Sequence, residues 1–79
     1  MQLKIKFENR SRKVVGIDTI SALRKKISEA FGSKTENLTL VYKDSDNELI
    51  SIIDDGDLTN CFEEAEDMGS PVVTIYVKS

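Results

Sequence analysis

The sequence predicts an α+β fold. Its strands form a mixed sheet with two helices packed on one face, in the order strand-strand-helix-strand-strand-helix-strand. Three observations lead there. Apolar and polar residues alternate over 2–8, as in a half-buried strand, and residues 72–77 form a strongly β-prone run. Between them, Ile20, Leu23, Ile27, Ala30 and Phe31 follow helical spacing. The chain has 79 residues, enough for a single domain over 1–79 and too few for two cores.

In the first strand Leu3, Ile5 and Phe7 point one way, and Gln2, Lys4, Lys6 and Glu8 the other. The polar stretch from Glu8 to Ser11 turns the chain and contains Asn9, which tolerates turn geometry. Residues 12–17 return as the second strand of a hairpin. With Val15 and Ile17 facing the core, parity sends Arg12 to the open face beside Lys4 and Lys6, and Lys13 takes the other parity. Asp18 or Thr19 supplies the cap of the first helix, and Gly32 stands where a left-handed C-terminal cap belongs. Arg24, Lys25 and Lys26 lie mostly off its apolar stripe.

Residues 37–42 alternate again, with Leu38, Leu40 and Tyr42 inward. A polar stretch, 43–47, separates them from an apolar strand over 49–53. A shorter helix starts near Asp54 or Asp55 and turns Leu58, Cys61, Phe62 and Ala65 inward. Gly69, Ser70 and Pro71 end it, and residues 72–77 close the chain as a strand. This order resembles the ubiquitin-like β-grasp, which leaves the second sheet face and the sheet edges open to partners.

Composition excludes several functions. There is no histidine, which removes Ser-His and Cys-His triads, histidine zinc sites and a histidine pH switch. A lone cysteine cannot form an internal disulfide, and a cytoplasmic, reducing compartment is expected. No apolar run reaches the roughly 18–20 residues of a membrane span, and the N-terminus carries no apolar signal core. Net charge is −3, but it is unevenly spread. Nine basic and three acidic residues give +6 over 1–34; two basic and eleven acidic residues give −9 over 35–79. Such asymmetry bears on partners and not on fold.

The densest chemical signal runs from Tyr42 to Leu58. Asp44, Asp46 and Glu48 recur at every second residue, and Asp54, Asp55 and Asp57 follow after one apolar strand. That strand is expected to bring both acidic groups to one side of the domain. Carboxylates held together repel each other and become favourable when a cationic surface arrives. A bland reading competes: a polar turn followed by a helix whose acidic first turn needs no partner.

The segment resembles the acidic OPCA motif of the Phox and Bem domain family (PB-one domains). Tyr42, Asp44, Asp46, Glu48, Ile50, Ile52, Asp55, Asp57 and Leu58 take the family's places. Asn47 stands where the family has glycine, and asparagine is the next-best residue for a positive φ. Gly56 falls where a third acid is usual, with Asp54 one step earlier as its substitute. The family's basic signature is a lysine in the first strand and an Arg/Lys pair opening the second. Lys4 and Arg12-Lys13 match it, with Lys6 and Arg10 as auxiliaries. The resemblance covers the whole chain. It implies a front-to-back interaction module of the dual, type I/II class. The acidic face would be Asp44, Asp46, Glu48, Asp54, Asp55 and Asp57, and the basic face Lys4, Lys6, Arg10, Arg12 and Lys13. Other domains of the family would be the partners, and head-to-tail self-association would be open to such a chain.

Other readings of the same residues are weaker. Asp44 begins a segment like an EF-hand loop, but Leu49 occupies its glycine position and Asp55 its final glutamate. A carboxylate-pair glycosidase would need a cleft this chain is too small to build. Cys61, beside Phe62, reads as core and lacks an activating base. The chain ends without the Gly-Gly of a ubiquitin-like modifier. Nucleic-acid binding through Lys4, Lys6, Arg10, Arg12 and Lys13 is disfavoured by a sequence pI near 4.8 and by the lack of interleaved aromatics. The expectation is therefore no enzyme, no cofactor, no metal and no membrane contact.

Overall fold

The structure, a computed structural model, describes residues 2–32 and 38–78. The elements follow in the expected order: β1 (Gln2–Phe7), β2 (Arg10–Val15), α1 (Ile20–Phe31), β3 (Thr39–Lys43), β4 (Leu49–Ser51), α2 (Asp55–Asp67) and β5 (Val72–Lys78). Asn37, at the start of the expected third strand, lies outside the described residues, as do the charged Lys34 and Glu36.

The strands lie side by side as β2-β1-β5-β3-β4. β1 and β5 are parallel and the other pairs antiparallel, so the sheet is mixed. Both helices pack on one face. Leu23, Ile27 and Phe31 of α1 and Leu58 and Cys61 of α2 share a core with Leu3, Ile5, Leu40, Ile52 and Ile75. Each such aliphatic side chain, taken fully out of water, contributes roughly 1.5–3 kcal/mol.

Local chemistry sets the helix ends. Thr19 is the N-cap of α1, its Oγ1 accepting from the Ala22 amide at 3.1 Å. Gly32 closes α1 at φ 68°, and its amide donates to the Ser28 carbonyl at 2.8 Å. Asp54 caps α2 in a reciprocal box. Its Oδ1 accepts from the Asp57 amide at 2.9 Å, while Asp57 Oδ2 accepts from the amides of Ile53 and Asp54.

Three expectations are corrected. The first concerns β2, which ends at Val15 and not at Ile17, because Gly16 at φ 76° bends the chain between them. Ile17 is buried beyond the bend, whereas Val15 is 70% exposed. Parity within β2 is therefore the reverse of that expected. Lys4 pairs with Lys13, and Ile5 with Arg12. Directly opposed residues share a face, so Lys13 joins Lys4 and Lys6 on the open face and Arg12 turns to the helix side.

The second correction is in the hairpin turn, which is Glu8-Asn9 alone, with Arg10 and Ser11 already in β2; its residue with positive φ is Glu8 (56°). The third concerns β4, which stops at Ser51. Ile52 still enters the core at 1% exposure, but the Ile53 amide is drawn into the α2 cap and its side chain is 75% exposed.

Candidate functional site

Asp44, Asp46 and Glu48 lie in the tight β3–β4 turn. Asp44 Oδ1 accepts from the amides of Asp46 and Glu48, both at 2.9 Å, and so folds the turn around itself. Asn47 adopts φ 64°, the left-handed conformation that asparagine tolerates best after glycine. The exposed Asp46 and Glu48 side chains make no hydrogen bond or ion pair among the described residues. Glu64, which the sequence did not single out, anchors this turn to α2. Its Oε1 accepts from the Ser45 amide at 2.7 Å, and its Oε2 from the Tyr42 hydroxyl at 3.5 Å. Burial first, and the Glu64 carboxylate second, raise the Tyr42 pKa above its usual 10.0.

The second acidic group opens α2. Asp54 and Asp57 form its capping box, and Asp55 Oδ1 accepts from the Ile20 amide at 2.7 Å, joining the starts of the two helices. These acids are thus partly structural. Both groups adjoin α2, but the strand between them does not bring them together. Glu64 stands at the β3–β4 turn, and the ten helical steps back to Asp54 span about 15 Å. Gly56 has no positive φ; a Cβ there would approach Asp54 Oδ1 to 3.2 Å, so an acid at this position would crowd the cap.

The basic residues divide around β2. Lys4, Lys6 and Lys13 lie on the open sheet face. Arg10 and Arg12 oppose the core residues Phe7 and Ile5 and so lie on the helix side. Arg10 stacks over the Phe31 ring at 5.1 Å and donates to the Phe31 carbonyl at 3.4 Å. The register adds Lys43 to the open face, because it shares parity with Val41, the partner of Tyr76. The ammonium groups of Lys6 and Lys43 stand 5.9 and 5.7 Å from the Tyr76 ring centre. Lys78, opposite Thr39, has the same parity, and no strand residue of this face is acidic.

Cys61 is 2% exposed, and burial, followed by the nearby Glu64, pushes its thiol up to about 12. This is a packed side chain and not an activated nucleophile. Among the described residues, no set of three or more Cys, Asp or Glu is grouped to hold a metal ion, and no helix is long and apolar enough to cross a membrane.

A family model, the PB1 domain, matches residues 1–79. The chain belongs to the PB1 domain family. PB1 domains are Phox and Bem interaction modules with the ubiquitin-like β-grasp fold, and the mixed sheet and paired helices seen here are that fold. Solved structures agree. The AtNBR1-PB1 domain is 19% identical with TM-score 0.80, over 100% of this chain and 96% of that one. The AtNBR1-PB1 filament (L-type), solved by cryo-EM, is 21% identical with TM-score 0.80, over 99% and 94%. The PB1 domain of Cdc24p (long form), solved in solution, is 17% identical with TM-score 0.64, over 99% and 95%. No match was found among curated proteins.

Proposed function

We propose that residues 1–79 act as a single PB1 interaction domain of the dual type, binding other PB1 domains front to back. A basic partner meets Asp44, Asp46, Glu48, Asp54, Asp55 and Asp57. An acidic partner meets Lys4, Lys6, Arg10, Arg12 and Lys13. One observation carries this reading: Arg10, Arg12 and Lys13 lie on one edge strand, β2, with Lys4 and Lys6 next to them on β1, whereas Asp44, Asp46 and Glu48 lie in the turn that enters the other edge strand, β4. β2 and β4 are four strand spacings apart, about 19 Å in all. The Debye length at physiological salt is about 8 Å, so the cations of β2 and the acids of the β3–β4 turn do not neutralise each other. The ion pair formed among the described residues, Lys26–Glu29 at 4.0 Å, belongs to neither set.

Exposed ion pairs contribute only roughly 0.2–1 kcal/mol each, so affinity arises from several acting together. Copies of one chain can then add head to tail, through a contact that gives open filaments or rings and not a two-fold dimer. The filament of the AtNBR1-PB1 domain supports the same outcome here. An intracellular setting belongs to the same proposal and rests on the buried, unpaired Cys61 thiol.

Sedimentation against protein and salt concentration tests the proposal. The parent should grow without a fixed size at low salt, and the assemblies should dissolve near 1 M. Lys4→Ala, or Asp46→Ala with Glu48→Ala, should each remain monomeric, and mixing the two should give a dimer. Assemblies that persist at 1 M salt, or that form equally well from the Lys4→Ala variant, would sink the electrostatic mechanism.

A further inference from the structure

β2 is an edge strand. It pairs with β1 on one side, and among the described residues nothing pairs with the other. Alternate residues of such an edge turn their amides and carbonyls outward, ready to pair with another extended chain. Native edges are usually blunted by a proline, a bulge or an inward charge; β2 (Arg-Ser-Arg-Lys-Val-Val) has no proline and keeps regular register over Arg10–Val15, and the charges it does carry, Arg10, Arg12 and Lys13, are cations that repel a basic strand and not an acidic one.

Beside this edge runs a groove of about 290 Å³, between β2 and α1. Val14, Val15 and Ala30 supply its apolar lining, and Arg12, Lys13 and Lys26 its cationic rim. Val15 is 70% exposed despite its size. Glu29 is the acid of the groove, and it is already engaged by Lys26 at 4.0 Å. An unpaired edge, a partly apolar trough and an excess of cations stand together on one side of the domain.

We infer that β2 accepts an extended acidic peptide as an additional strand of the sheet. The peptide backbone would pair with the β2 edge. Along each face of the added strand an aliphatic side chain and a carboxylate would follow one another: toward the helices the aliphatic one enters the trough beside Val14 and Ala30 and the carboxylate meets Arg12 and Lys26, while on the open face a carboxylate meets Lys13. Backbone pairing supplies affinity in such strand addition, and the alternate side chains supply selectivity. A neutral or basic strand would find the same edge but not the charge complement. The site shares Arg12 and Lys13 with the basic face proposed above. Lys26 and Ala30 belong to neither face, so the two readings can fail separately.

The probe is a capped octapeptide in which pairs of glutamates alternate with pairs of valines, so that each face of the strand carries both residue types; it is added to the isotope-labelled domain at low salt and followed by amide chemical shifts. Shifts are expected along β2 and the facing side of α1. Lys26→Glu, and separately Ala30→Met, which fills the trough, should each weaken binding about tenfold, and neither should affect head-to-tail association. A peptide N-methylated at alternate residues along its pairing edge should not bind, nor should a valine–lysine peptide. Lys4→Ala, on the open face, should leave the affinity for the octapeptide unchanged. Equal binding by the N-methylated peptide would overturn strand addition. So would loss of binding in Lys4→Ala with no effect of Lys26→Glu, which would mean that the peptide reads only the open basic face.

Discussion

Replacing Asp54 with alanine and with asparagine separates two roles held by one side chain. Its Oδ1 accepts the Asp57 amide at 2.9 Å, which satisfies one of the orphan donors at the start of α2. Alanine removes this acceptor, at a cost of about 1 kcal/mol within a range of roughly 0.5–2. The reverse arm of the box survives, because Asp57 Oδ2 bonds the main chain of Ile53 and Asp54, so the loss is that of a single bond. For a domain of this size about 1 kcal/mol corresponds to a fall in melting temperature of roughly 4–8 °C. Asparagine keeps an acceptor oxygen and removes only the charge. The lost attraction to the helix dipole, roughly 0.3–1 kcal/mol, is offset by relief of repulsion from Asp55 and Asp57. Asp54→Asn should therefore melt within about 2 °C of the parent, while both variants lose affinity for a basic PB1 partner. Calorimetric melting and a titration with such a partner measure the two effects. If asparagine destabilised as much as alanine, the cap bond would not be the stabilising interaction. If neither variant weakened partner binding, Asp54 would be a helix cap and nothing more.

Further outcomes follow from other sites. Cys61 should resist thiol reagents in the native state at pH 8 and react on unfolding. Its folded pKa is raised from 9.0 to about 12, so the stability it confers is full below pH 9 and is lost as pH climbs toward 12; urea titrations across that window measure the slope. Glu8→Asn should stabilise the hairpin by about 0.5–1 kcal/mol, because the turn holds residue 8 at φ 56°, where asparagine is tolerated better than glutamate; an unchanged urea midpoint would count against strain there. Leu23→Ala, at a site with no exposure, should cost about 2–5 kcal/mol and raise amide exchange across the core.

What could be read from the sequence was local. The cap at Thr19, one of the two residues expected to supply it, the stop at Gly32 and the acidic turn around Asn47 are each specified within four or five residues, and each stands where the sequence placed it. The acids of 44–48 were legible because their spacing matches a turn and not a core. Misreadings arose where a break hid inside an apparent pattern. Val15 and Ile17 look like one alternation, but Gly16 bends the chain between them, and that reversed the faces of Arg12 and Lys13. Ile53 looked like strand because nothing in its neighbourhood reveals that its amide serves the α2 cap. Glu64 carried no local signal, since its partners lie 19 and 22 residues away. Lys43 had a signal that was passed over: it alternates with the inward Leu38, Leu40 and Tyr42, so it had to face the lysines of the open side.

The parallel pairing of β1 with β5 also governs how the molecule is born. Gln2 opposes Val72 and Phe7 opposes Val77, so the first strand, already paired with β2 on one side, finds its other neighbour only in β5. β5 lies between β1 and β3, and without it the sheet falls into two separate hairpins, neither able to seal a core. A chain emerging from the ribosome can form α1 and both hairpins early, but the central ladder must wait until residue 78 is free. Closing a loop of this length is the slow, entropy-limited event of folding. Truncation before Val72 should therefore abolish cooperative folding altogether, and on stalled ribosomes protection from protease should appear in one step, once β5 has cleared the exit tunnel.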